Sequence, residues 1–302
     1  MSFGSFRTVE YRILKGMRLF VYGLGVVVGF VLLSMNSVTT NSVVSEVSAS
    51  NQPTCSINEI NIPTAITGKA WQVVDIDTGE VLAEHEASKA LPIASVVKLL
   101  TALAVMQESD TSATLIELSY QDIATEGRSG NLAVGENYSS HELIFPLLVT
   151  SSNDAGTALA RTYPNIISTV EEFLQKAGAL NTTIADTTGL SRQNISTVDD
   201  LSRILRAIYT NSPHVLNITR APQIISQQGN GWVNNIPFRS LEGYVGGKQG
   251  YLPEANQTGV AIFSVGDEIK STFGISILSS DSVAKDMEIL HSAVLGSYSC
   301  TD

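Results

Sequence analysis

Histidine and cysteine are almost absent from this chain, at four and two residues in 302. The histidines, His85, His141, His214 and His291, form no His-x-x-x-His pair, and the cysteines, Cys55 and Cys300, lie at opposite ends of the sequence. That rules out zinc and iron–sulfur sites of ordinary ligand spacing, and no metal or other cofactor is expected. No Gly-x-Ser-x-Gly segment occurs, which argues against a His-based triad. Basic side chains are scarce: 18 Lys and Arg against 29 Asp and Glu give a net charge of −11. Residues 1–35 hold four basic and one acidic side chain, so the remainder carries −14. A body of that charge is not built to bind nucleic acid or anionic lipid headgroups. There is no internal repeat.

One apolar run is long enough to matter for location. Arg7, Arg12, Lys15 and Arg18 precede an uncharged stretch from Leu19 to Met35, about the length that crosses a bilayer. Basic residues before it and an acidic region after it place 1–18 in the cytoplasm and the rest outside. No small-x-small site follows closely, since Val47-Ser48-Ala49 lies too far downstream. A single-pass anchor at 19–35 in the cell membrane is therefore the expectation, with a secreted protein as the alternative if the segment is cleaved. Residues 36–54, rich in Ser, Thr, Val and Asn, read as a flexible spacer, and 55–302 as one extracytoplasmic domain. Outside the cytoplasm, Cys55 and Cys300 are placed to form a disulfide tying the domain's ends; two unrelated thiols are the duller reading.

Within that domain, Ala70–Ile76 and Val81–His85 around Asp77-Thr78-Gly79 read as a hairpin. Pro92 precedes a helix whose stripe is Val96, Val97, Leu99, Leu100, Leu103 and Ala104. Capping patterns at Ser139 with Glu142, Thr169 with Glu172, and Thr197 with Asp200 open three more helices. Strands are expected at 245–250, 258–265 and 270–278, with a last helix over about 282–295. Strands at both ends and helices between predict an α+β layered fold, with an antiparallel sheet flanked by helices and a helical subdomain.

Serine needs a neighbouring base to become a nucleophile at neutral pH. Ser95-Val96-Val97-Lys98 supplies one at i+3, on the same helix face. Alone this tetrapeptide means little, since about one is expected by chance in a chain of this length. Downstream lie Ser151-Ser152-Asn153, a Ser-x-Asn, and Lys248-Gln249-Gly250, a Lys-x-Gly. In this order, and together with Val73–Leu82, Thr125-Glu126-Gly127, Asp186–Ser191 and Ser196–Leu201, the trio resembles the D-alanyl-D-alanine carboxypeptidases of the low-molecular-mass penicillin-binding proteins.

That resemblance, which runs from about Ala70 onward, implies a β-lactamase/transpeptidase-like fold without the C-terminal β-domain of several relatives. It also implies removal of the terminal D-alanine from peptidoglycan stem peptides through an acyl-enzyme on Ser95, and covalent inhibition by β-lactams. Lys98 is then the base, Ser151 relays a proton to the leaving amine, and Asn153 binds the substrate backbone. Lys248 supplies positive charge. Gly250 and Tyr251 continue the binding strand, with the N–H groups of Ser95 and Tyr251 as the oxyanion hole. Gln249 departs from the pattern, for relatives usually carry Thr or Ser there, whose hydroxyl meets the substrate carboxylate. Lowered or retuned activity is the expected consequence. The alternatives are a D,D-endopeptidase, a catalytically weakened wall-binding protein, and a β-lactamase. The last lacks support, since no Glu-x-x-Leu-Asn segment lies between the second and third motifs. Each residue also has a duller role: Ser95, Ser151 and Asn153 as helix caps, Lys248 as a solvated strand lysine.

Overall fold

Alternating apolar residues on strands from both ends of the chain build the central layer. The computed structural model describes residues 54–301, apart from positions 64, 109, 110, 112, 128, 129, 227, 228, 268 and 269. The expected anchor at 19–35, the segment before it and nearly all of the spacer lie outside the described residues. Among the described residues no helix is long and apolar enough to cross a membrane. The sheet strands are β1 (Ala70–Asp75), β2 (Val81–His85), β3 (Tyr244–Leu252), β4 (Asn256–Val265) and β5 (Ser271–Ser280). All pairings are antiparallel, in the order β3-β4-β5-β1-β2.

Side chains alternate across a strand, and here both faces are apolar. Val74, Val260 and Ile262 face one core, while Val73, Ala261, Phe263, Phe273 and Ile275 face the other. Helix α7 (Val283–Ser297) covers the second face with Val283, Met287, Leu290 and Val294. The first face is covered by α5 (Val198–Asn211), α6 (Pro213–Arg220) and the turn that leads into α1 (Lys98–Met106), while α2 (Ser140–Val149), α3 (Asn153–Thr162) and α4 (Ile166–Ala177) pack on α1 in the same core. The result is the expected α+β arrangement with a helical subdomain.

Local chemistry explains the helix starts. Ser139 Oγ accepts from Glu142 N while the Glu142 carboxylate accepts from Ser139 N, the reciprocal box expected from the sequence. Thr197 caps α5 through Asp200 N. Asp200 does not complete the box; its carboxylate accepts from Asn181 N and Thr182 Oγ1 instead. The Thr169 start is corrected. α4 begins at Ile166, because Ile166, Val170 and Leu174 form one buried stripe that carries the helix a turn further back.

Two tertiary clamps hold the domain's ends. Buried Asp286, in the first turn of α7, accepts from Thr67 N, Gly68 N and the hydroxyls of Thr67 and Ser280. A two-stranded ladder then pairs Thr54–Ile57 with Tyr298–Thr301 and sets Cys55 opposite Cys300, joined by a disulfide.

Candidate active site

The nucleophile's position is set by an irregular entry to α1. Residues Ala94–Val97 form a 3-10 turn before the helix, and Ala94 has a left-handed φ of 48°. Ser95 therefore caps no helix; its half-buried hydroxyl lies 2.9 Å from Lys98 Nζ, with Lys98 fully buried as the first residue of α1. Lys98 Nζ also donates to Asn153 Oδ1 at 2.8 Å and to the carbonyl of Thr188. These contacts aim one amine at one hydroxyl.

Ser151 sits on the link between α2 and α3, again left-handed at φ 63°. A non-glycine residue in this region carries strain that tends to persist where it serves a function. The cap of α3 is Ser152, whose Oγ accepts from Ala155 N, so neither Ser151 nor Asn153 has the capping role. Ser151 Oγ instead receives the ammonium of Lys248 at 2.9 Å, and Lys248 also donates to the Gln249 carbonyl at 2.8 Å. Lys248 is fully buried, not solvated. Asn153 is held from its other end, donating through Nδ2 to the Glu126 carbonyl at 2.6 Å.

A cleft of about 470 Å³ brings these groups together, lined by Ser95, Ser151, Asn153, Gln249, Gly250 and Tyr251 among others. Lys98 and Lys248 lie behind its wall. Two glycines allow the approach. Cβ atoms at Gly189 (φ +85°) and Gly250 would both come within 2.7 Å of Ser95 N, and that at Gly189 within 2.4 Å of the Ala94 carbonyl. Because β3 is an edge strand, the outer backbone groups beyond Gly247, whose N–H already donates to Thr219 Oγ1, can meet an extended peptide.

Several supporting residues lie in segments that carry the family resemblance, yet no role could be assigned to them from the sequence. Thr188 and Glu126 act through backbone carbonyls, which any residue type supplies. Asp186 shapes the 186–191 loop, where its carboxylate accepts from the N–H groups of Thr188, Gly189 and Ser191. Burial pushes that carboxyl up, but the bonds from Gly189, Ser191 and Thr188 outweigh it and hold it below the usual range. Asp154, next to Asn153, is fully buried and raised to about 6, by burial first and then by the charge of Asp122. Asp122 is pushed up by burial but ends low, because Arg161 and Ser119 bond to it. No group of three or more His, Cys, Asp or Glu able to hold a metal occurs among the described residues.

A nucleophile with its amine, a second hydroxyl with its own amine, and a peptide-binding strand edge define a serine acyl-transfer site of the penicillin-binding fold. Residues 57–268 match the family model for D-alanyl-D-alanine carboxypeptidase, and the chain belongs to that family. It is thus a serine-type hydrolase of cell-wall peptides. The carboxypeptidase DacB2 of Mycobacterium tuberculosis is 32% identical over 200 residues, covering 63% of this chain and 68% of that protein. A D-alanyl-D-alanine endopeptidase of Pseudomonas aeruginosa is 29% identical over 171 residues, covering 55% of this chain and 54% of its own length. Among solved structures, a D-alanyl-D-alanine carboxypeptidase from Mycobacterium tuberculosis superimposes with a TM-score of 0.69 at 27% identity, covering 79% of this chain and 92% of that one. Penicillin-binding protein D2 of Listeria monocytogenes, in its ampicillin-bound form, shares the fold at TM-score 0.68 and 24% identity, covering 78% of this chain and 99% of that one.

Proposed function

We propose that this protein removes the terminal D-alanine of peptidoglycan stem peptides through an acyl-enzyme on Ser95. The observation that carries the reading is the pair of contacts from buried lysines, Lys98 Nζ to Ser95 Oγ and Lys248 Nζ to Ser151 Oγ, each 2.9 Å. Lys98 takes the hydroxyl proton as Ser95 Oγ attacks the carbonyl of the penultimate D-alanine. The N–H groups of Ser95 and Tyr251 receive the oxyanion. As the C–N bond breaks, the proton reaches the leaving amine through Ser151, held by Lys248. Asn153 orients Lys98 and the substrate amide. Water then cleaves the ester and restores Ser95. The same acylation makes β-lactams covalent inhibitors.

The basic segment and apolar run before residue 36 support a membrane tether, with the peptidase outside the cytoplasm and a role in wall shape. A second reading, cleavage of D,D cross-links, is favoured by a shallow groove of about 520 Å³. It shares Gly127 with the cleft and is lined by Thr150, Trp232 and Asn235, leaving room for a longer leaving strand.

The test is D-alanine release from a pentapeptide muropeptide, and strand release from a cross-linked dimer, by the wild type and Ser95→Ala. Release that vanishes in Ser95→Ala is expected. Release that survives in the variant refutes the mechanism.

A further inference from the structure

Gln249 lines the cleft together with Ser95 and Ser151. Its amide nitrogen is already engaged. Nε2 donates to the Asn235 backbone carbonyl at 2.7 Å and lies 3.3 Å from Asn235 Oδ1. Asn235 is itself fixed, for its Nδ2 donates to the Thr150 carbonyl and its N–H to the Val149 carbonyl. A carbonyl 2.7 Å away settles the orientation of the Gln249 amide, since the flipped form would set two acceptors against each other. The polar side-chain atom that Gln249 has left to offer a ligand is therefore Oε1, which only accepts hydrogen bonds.

This acceptor sits on the leaving-group side. Ser151, the hydroxyl held by Lys248, marks where the departing nitrogen lies, and Gln249 follows Lys248 on the same strand. The carboxyl group one carbon from that nitrogen is within reach of the next side chain along the wall. A carboxylate there meets an acceptor oxygen. Glu126, the one charged residue among the described lining residues, adds a like charge, while the buried Lys248 behind the wall is held by Ser151 Oγ and the Gln249 carbonyl. A carboxamide at the same place presents an N–H to Oε1.

We infer that Gln249 is a specificity-determining residue, which turns the peptidase toward D,D-peptides whose leaving residue carries a neutral carboxamide in place of a free carboxylate. This rests on the peptidase reading above. The class includes peptides ending in D-alaninamide and cross-linked strands in which the corresponding carboxyl is amidated.

The experiment compares kcat/KM for a diacetyl-lysyl-D-alanyl-D-alanine peptide and its C-terminal amide, using the full chain, Gln249→Thr and Gln249→Ser. A ratio of two substrates on one preparation cancels any loss of folded enzyme. The wild type is expected to cleave the amide at least as well as the acid, and both variants to shift the ratio tenfold or more toward the acid. A wild type that prefers the acid, with the same ratio in both variants, overturns the inference and leaves the peptidase reading intact. Cleavage of neither peptide overturns both.

Discussion

Asp154 is the residue in the site region whose environment suits it least. Both carboxylate oxygens are buried without a hydrogen-bond partner among the described residues, and Asp122 lies close enough to repel the charged form. With its carboxyl raised to about 6 from an ordinary 3.8, the native state disfavours ionisation. Below pH 3.8 the group is protonated folded or unfolded, so no penalty exists; the penalty grows as pH rises and is complete above 6. Asp154→Asn should therefore stabilise the protein by roughly 3 kcal/mol at pH 7 and by little at pH 3.5. Urea denaturation at the two pH values checks this, and a gain independent of pH would contradict it. At this scale the sequence was legible where chemistry needs a particular side chain: Ser95, Lys98, Ser151, Asn153 and Lys248 converge as their order suggested. Asp154 was not, because nothing in Asn153-Asp154-Ala155 tells how deeply α3 is buried. Gln249 was legible as a departure, but its orientation depends on Asn235, fourteen residues away.

At the scale of elements, starts were readable where a side chain and a backbone N–H three residues apart satisfy each other. The box at Ser139 and Glu142 is one case. Ser119 and Asp122 form a second around the short turn Tyr120–Ile123, unrecognised because four residues are too few to show an apolar period. At Thr169 the same pattern misled, since an apolar stripe beginning at Ile166 outweighs a cap. The clamp at Asp286 was invisible because two of its partners, Thr67 and Gly68, are more than two hundred residues away and donate through backbone N–H groups. Asp286→Ala leaves buried donors unmet, which costs about 3 kcal/mol. Chemical denaturation should show that loss; a change under about 0.5 kcal/mol, the range of ordinary surface substitutions, would refute the clamp.

Across the whole molecule, the sheet draws strands from both ends of the described chain around the helices, so its completion depends on contacts between distant segments. The disulfide between Cys55 and Cys300, 245 residues apart, closes nearly the entire domain into one loop. Chain-entropy reasoning sets its contribution at no more than about 5 kcal/mol. Reduction, or Cys55→Ser with Cys300→Ser, should lower the midpoint of thermal unfolding without abolishing peptidase activity, because the ladder lies outside the cleft. An unchanged midpoint would show that the bridge restrains nothing. The fold class was legible at this scale from the distribution of strands and helices. The pairing of the last strand with Thr54–Ile57 was not, since four-residue ladders carry too little pattern to be seen.

The most direct test of the central claim is the site of covalent modification after prolonged incubation with benzylpenicillin, read by intact mass and peptide mapping. One adduct on Ser95 is expected, absent in Ser95→Ala and much slower to form in Lys98→Met. An adduct on another residue, or an unmodified Ser95 in folded protein, would contradict the assignment of nucleophile and base.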